Sequence, residues 1–410
     1  MKTTRAKLLT GKLRGALIAI EVALSFVLLT GAGLMMKSLI RLWDVEVGFH
    51  TQRLLTMNVS LSGTKYSSPQ KKAAFVGQVL WQLKSLPLVR SAAVVTNLPL
   101  TRDDTQNSFE IPGRHAVRGS ADYNVVSAGY FRTMGIPLLS GRELLNSDSA
   151  HTPLVCVISR RMAQRYWPHQ NPVGAGIVAY RVVAKSTHKG TSVEFTPQQL
   201  RVVGVVGDVR QLGLDAPIEP ELYMTYAQWP SSNMWLVART RTDPSLLVPA
   251  VRKAVWNIDP DQPVADANTM DQWLSKETAS RRFMLQLIGT FAFMALVLAA
   301  VGTYGVVAYG VGQRTHEIGI RMALGATEQR ILWTVISQTV RWLITGIAAG
   351  IVGAFGITRL LGHYLYEVQP SDPQTFIGVL LVLLGIALVA IYIPARQAAR
   401  VDPIVALHYE

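Results

Sequence analysis

The sequence predicts a membrane protein with four transmembrane α-helices and a large extracytoplasmic α+β domain between helices 1 and 2. Three observations predict it. Apolar stretches long enough to span a bilayer cover residues 15–42, 282–312, 333–362 and 374–395, whereas residues 43–281 contain none. Charge follows the same division. Lys2, Arg5, Lys7, Lys12 and Arg14 precede the first stretch with no acid among them, Arg314, Arg321 and Arg330 lie between the second and third, and Arg396 and Arg400 follow the fourth. The loop between the last two stretches, residues 363–373, carries Glu367 and Asp372 and no Lys or Arg. By the positive-inside rule this places both termini and residues 313–332 in the cytoplasm, and residues 43–281 outside it. Composition agrees: 49% of the 410 residues are hydrophobic and the mean hydropathy is +0.24, too apolar for an ordinary soluble chain.

In chain order, residues 1–14 form a basic cytoplasmic arm. The apolar stretch after it is a full span bounded by Arg14 and Lys37 rather than the short core of a cleaved signal peptide. Glu21 inside that span costs up to about 3 kcal/mol at a helix centre and less near an end. It reads either as a functional group or as a carboxylate that pairs or reaches the interface.

Between the first two spans the pattern is mixed. Leu55–Leu61 alternates as a strand does. Ser68-Pro69 reads as an N-cap and first helical position, opening a helix that places Val76, Val79, Leu80 and Leu83 on one face. Val89–Thr96 and Arg201–Val206 are β-branched runs bounded by turn residues and read as strands. Gly174–Pro197 is polar, with Lys185, His188 and Lys189, and reads as an insertion or a hairpin. The lone cysteine, Cys156, excludes an internal disulfide and a CxxC pair, and reads as a small buried hydrophobe.

In the third span Arg341 and Arg359 sit near the two ends, where long stems reach the interface. Gly346, Gly350 and Ala354 recur every four residues, a spacing that suits either close helix contact or a lipid-facing surface. Between the second and third spans, Glu317–Ala326 reads EIGIRMALGA. As a helix it pairs Glu317 with Arg321, stacks Ile318 over Met322 and ends at Gly325. On physical grounds alone a solvated connector between two spans is the favoured reading.

Several chemistries are absent from the sequence. There is no GxxxxGK[ST] loop, no HExxH and no GxSxG, so nothing supports a nucleotide site, a metal hydrolase or a serine hydrolase in this chain. The cluster Gly204-Val-Val-Gly207 follows a strand and ends in Asp208, which reads as a tight turn. Many of the basic residues behind the net charge of +14 flank the spans, as topology and phospholipid contact require. No basic, aromatic-interleaved motif accompanies it, so no nucleic-acid partner is expected.

The stretch Gln313-Arg314-Thr315 with EIGIRMALGA closely resembles the cytoplasmic coupling segment of the FtsX/MacB-like ABC transporter permeases. The resemblance extends along most of the chain. In the first span it includes Glu21-Val22-Ala23-Leu24 and Gly31-Ala32-Gly33-Leu34, then Gly48-Phe49. In the middle it includes Gly129-Tyr130-Phe131, Met134-Gly135-Ile136-Pro137, Gly141-Arg142, Asn171-Pro172-Val173-Gly174 and Val203 through Val209. Towards the end come Leu298 through Gly302, Tyr304-Gly305 and Pro394 through Pro403.

The resemblance implies a permease subunit of the bacterial cell (inner) membrane whose residues Glu317, Ile318, Gly319, Ile320, Arg321, Met322, Leu324 and Gly325 dock on an ABC-type ATPase. ATP and Mg²⁺ would be held by that partner, with no cofactor, metal or catalytic residue in this chain. It also implies a second permease unit, as a homodimer or a sister half, and mechanotransmission to a MacB-like core domain outside the membrane. MacB itself carries a fused N-terminal ATPase, which this sequence lacks, so the expected energy source is another polypeptide. The chain resembles one repeat of the tandem-duplicated permeases, as a half-sized relative or a fragment. A different class of function remains beside this one: a membrane-anchored receptor or regulator whose outer domain binds a ligand or activates a cell-wall enzyme.

Overall fold

In a computed structural model of the chain, residues 2–61, 63–103, 105–113, 118–187, 190–312, 328–360 and 365–399 are described. They divide into two units, one of residues 1–44 and 279–410, the other of residues 45–278.

The first unit is helical. Its elements are α1 (Lys2–Trp43), α6 (Met270–Gly312, which begins in the other unit), α7 (Glu328–Leu360) and α8 (Pro373–Ala399). Each contains an apolar segment long enough to cross a membrane: Gly15–Trp43, Met270–Tyr309, Thr339–Leu360 and Pro373–Pro394. Helix α1 runs back through the basic arm to Lys2. Helix α6 begins at Met270, earlier than the apolar stretch at 282, because Thr269 and Gln272 form a reciprocal capping box. The Gln272 N–H donates to Thr269 Oγ1 at 3.2 Å and the Thr269 N–H to Gln272 Oε1 at 2.9 Å. No Gly or Pro interrupts the chain from there to the apolar run.

Helices α1 and α7 pack closely. A Cβ added to Gly346 would stand 2.7 Å from the Ala19 carbonyl oxygen, and one added to Gly350 would stand 2.8 Å from Phe26 Cβ. Ala354, next in the series, is fully buried. Of the two readings of this small-residue spacing, close helix contact is the one observed.

The second unit is built on strands: β1 (Leu54–Ser60), β2 (Val89–Val95), β3 (Gln106–Glu110), β4 (Arg118–Val126), β5 (Leu138–Gly141), β6 (Val155–Ser159), β7 (Gly176–Thr187), β8 (Gly190–Val206), β9 (Glu221–Thr225), β10 (Asn233–Thr240) and β11 (Val264–Thr269). Its helices are α2 (Pro69–Ser85), α3 (Tyr130–Met134), α4 (Arg160–Tyr166) and α5 (Val248–Trp256). The sheet runs β11-β1-β10-β2-β4-β3-β7-β8-β6-β9. Because β9 also pairs with β4, in parallel, the segment β4-β3-β7-β8-β6-β9 closes on itself as a ring.

Alternation places Ala121, Tyr123, Val125, Leu222 and Met224 on one face of the β4–β9 seam, in the main apolar core with Cys156, Ile158 and the α2 residues Val76, Val79, Leu80 and Leu83. Ser68 caps α2 by accepting the Lys71 N–H at 3.3 Å.

The polar stretch after Gly174 is the β7–β8 hairpin. The expected turn at Gly204 is corrected: Gly204 lies inside β8, and a Cβ there would stand 2.2 Å from the Arg142 carbonyl oxygen. The glycine serves close approach of a neighbouring segment rather than chain reversal. Burial pushes the Cys156 thiol up, as its place in the core requires.

Candidate functional site

The coupling residues Glu317, Ile318, Gly319, Ile320, Arg321, Met322, Leu324 and Gly325 lie outside the described residues. The helices on either side of them are described: α6 ends at Gly312 and α7 begins at Glu328.

Helix α7 is held against α1 by the glycine seam. Helix α6 meets α1 through polar groups. Ser25 Oγ donates within reach of two carbonyl oxygens, Glu21 O at 2.7 Å and Ala295 O at 2.9 Å. One turn away, Gly302 makes room for Glu21. A Cβ at 302 would stand 2.2 Å from Glu21 Oε2, a buried oxygen with no hydrogen-bond partner. The carboxyl that sequence reading singled out is thus set against the α6 backbone at Gly302, with no hydrogen bond to Oε2 among the described residues. Only Gly is compatible with that approach.

At the other end of α1 the contacts are ionic. Lys37 Nζ donates to both Asp372 oxygens at 2.9 and 2.8 Å and to Gln374 Oε1 at 2.9 Å. Asp372 also caps α8, accepting the Thr375 N–H at 3.1 Å and the Thr375 hydroxyl at 2.7 Å. The Lys37 ammonium, with Thr375, holds the Asp372 carboxyl below its usual range. Ser38 Oγ accepts the Tyr366 N–H at 2.8 Å beside it. Sequence reading used Lys37 and Asp372 only as span-flanking charges. Their opposite signs at one membrane face were the available signal for the pair.

Between α6 and α8 an apolar groove of about 420 Å³ is lined by Ala300, Val301, Tyr304, Gly385, Val389 and Ile393. Among the described residues no group of His, Cys, Asp and Glu could hold a metal ion.

In the sheet unit, polar ties converge on two arginines. Arg239 of β10 donates to four backbone oxygens: Thr133 O at 2.7 Å, Gln52 O and His50 O at 2.9 Å, and Met134 O at 3.2 Å. One guanidinium therefore fixes α3 and the chain entering β1. Arg102 reaches Asp215 at 3.0 Å and contacts Glu277 of α6. The loop that presents it holds Leu100 at φ 70° and Arg102 at φ 59°, left-handed conformations that side chains rarely adopt.

Four apolar helices, with a strand-ring unit between the first and second, define a polytopic membrane protein whose largest folded part lies outside its spans. Comparison with known proteins makes this specific. Residues 22–254 match the MacB-like periplasmic core domain, and residues 289–403 match the FtsX-like permease C-terminal domain. The chain belongs to the FtsX/MacB-like ABC transporter permease family.

A "Macrolide export ATP-binding/permease protein MacB" of Syntrophobacter fumaroxidans is 24% identical, over 89% of this chain and 57% of its own length. The "Uncharacterized ABC transporter permease YknZ" of Bacillus subtilis is 25% identical over 72% of each. The chain thus spans little more than half of the MacB relative. The crystal structure of the periplasmic region of MacB from Actinobacillus actinomycetemcomitans matches 58% of this chain and 96% of its own, at 15% identity and a TM-score of 0.36.

Proposed function

We propose that this chain is the permease unit of an ABC transporter and transmits the work of ATP hydrolysis on a separate ATPase to its extracytoplasmic unit. The observation that carries the reading is the pairing of the two family matches, 22–254 and 289–403, with a polar segment between α6 and α7 that reads as a docking helix. Residues 317–325 enter a groove on the ATPase, with Ile318 and Met322 as apolar anchors and Glu317 and Arg321 fixing orientation. ATP and Mg²⁺ belong to that partner. A second permease unit completes the assembly, and both termini face the cytoplasm at the inner membrane. Work outside the membrane fits the spans, which carry few charged groups with which to line a hydrophilic path.

The double change Ile318→Asp, Met322→Asp tests the docking. It buries unpaired charge at the contact, a penalty on the order of several kcal/mol and enough to dissociate a micromolar complex. Pull-down of a co-expressed ATPase is lost while membrane insertion persists. Undiminished capture by the mutant at equal expression would return the segment to an ordinary connector. Purified alone, the chain hydrolyses no ATP, and adding its ATPase brings turnover.

A further inference from the structure

The parallel seam that closes the strand ring holds two carboxyl groups side by side. Asp122 of β4 and Glu221 of β9 are direct register partners, and both are buried, with 0% and 1% of their surface exposed. Side chains of in-register neighbours on adjacent strands share a face and lie within contact distance. This face is opposite the apolar core, since Ala121, Tyr123 and Leu222 point the other way. It is covered by α3, whose Phe131 ring lies edge-on to Tyr223 with centroids 5.0 Å apart.

Two like charges at such a spacing, away from water, cannot both persist. The aspartic-protease dyad is the general precedent for two carboxyls that hold one proton between them. We infer that Asp122 and Glu221 together bind a single proton at the β4–β9 seam, and that this proton keeps the strand ring closed.

Glu221 is faced from its own strand, from β6, α3 and β4, and from the segment after β8. From its own strand the Tyr223 hydroxyl donates to Glu221 Oε2. From β6, Ser159 Oγ accepts the Glu221 N–H at 3.0 Å. From α3, Tyr130 is wholly buried near it. From β4 come Asp122 and the amide of Asn124, whose Oδ1 accepts from Asn97 at 3.0 Å.

From the segment after β8 comes Asp208, which accepts the Arg161 N–H at 2.5 Å and lies 3.5 Å from Arg160 Nε. Arg210 follows it, and its Nη1 donates to the Leu214 and Ala216 carbonyls at 3.1 and 2.7 Å. The charges acting on Glu221 are thus of its own sign, Asp122 and Asp208, and they add to its burial. Its carboxyl is pushed up to about 8, desolvation first and those neighbours after, against the Tyr223 hydrogen bond.

The sign of the linkage follows. A carboxyl raised in the folded state keeps a proton that the opened state releases. The closed seam is therefore fully favoured in acid and loses ground as pH rises from about 4.5 to about 8, then levels. Within that window each pH unit shifts the closed-to-open ratio by about tenfold.

The test uses the full chain in detergent, with two readouts: the infrared carbonyl stretch of a protonated carboxyl, and hydrogen exchange of β4 and β9 amides corrected for intrinsic rates. Wild type shows a protonated-carboxyl band at neutral pH that disappears with a midpoint near pH 8. Corrected exchange at the seam rises through the window and then levels. Glu221→Gln keeps the acceptor for Tyr223, loses the band and makes seam exchange independent of pH. Asp122→Asn keeps the band but moves its midpoint down towards the ordinary carboxylate range. Absence of the band from wild type at neutral pH would overturn the inference. So would a band and midpoint unchanged in both variants.

Discussion

Gly346 of α7 lies so close to Ala19 of α1 that a Cβ at 346 would stand 2.7 Å from the Ala19 carbonyl oxygen. The contact is backbone to backbone, so no rotamer change relieves a larger side chain. Gly346→Leu is expected to force the helices apart, at a cost of about 1–3 kcal/mol. Its thermal midpoint in detergent should fall below wild type, whereas Gly378→Leu, where nothing lies within 4 Å of the added Cβ, should leave it in place. Equal midpoints for the two variants would remove the seam from the account of the helical unit.

Asp372 joins two tasks, pairing with Lys37 and capping α8. Asp372→Asn keeps a capping oxygen but not the charge, and Asp372→Ala loses both, so the alanine variant should be the less stable by about 1 kcal/mol. The carboxyl is held below its ordinary value in the folded state. It therefore contributes stability above about pH 4 that is lost as pH falls through the folded value. A thermal series from about pH 7 to about pH 3 should show a steeper loss for wild type than for Asp372→Asn.

Arg239→Lys preserves the charge but cannot reach four carbonyl oxygens fixed by a planar fork. A loss of about 2–4 kcal/mol is expected from carbonyls left without donors. Hydrogen exchange should quicken in α3 and at the start of β1 before it does elsewhere in the sheet unit. Uniform quickening would mean that Arg239 supports the fold generally rather than those two segments.

At the base of α6, Arg102 is about half exposed, so its pairs with Asp215 and Glu277 are worth at most about 1 kcal/mol. Glu277→Gln should cost less than that in stability. Weakening the Thr269–Gln272 cap by Thr269→Ala should cost about 1 kcal/mol and fray α6 at its first turn, seen as faster exchange from Met270 onward.

Much of the architecture was legible because it rests on long-period signals. Four apolar runs and the sign of the charges between them gave the helices, and Ser68-Pro69 with the spacing of Val76, Val79 and Leu83 gave α2. The early start of α6 was legible too, in Thr269-Met-Asp-Gln272, but the polar turns that follow hid it from a hydropathy reading. Strand pairing was not legible. That β9 returns to β4 depends on contacts between residues about a hundred positions apart, and alternation within one strand says nothing about its neighbour. For the same reason Asp122 and Glu221 drew no notice: each is one acid in a polar stretch until the register brings them together. The coupling site rests on resemblance alone and lies outside the described residues, and EIGIRMALGA has no physical feature that separates a docking helix from a solvated turn.

Ring closure has a consequence for association by strand addition. Strand β9 has neighbours on both sides, whereas β7 beyond Ala179 and β8 before Arg201 pair only with each other, so among the described residues open edges remain on the β7–β8 hairpin as well as on β11 and the short β5. The β11 edge is itself broken. Its register with β1 slips between Thr56 and Asn58, and Asp266 sits in the gap at φ 48°. A bulge with an acid at an edge discourages a further strand from pairing there. Strand addition is thus opposed at β11, while the edges of the β7–β8 hairpin still present backbone groups with a strand on one side only.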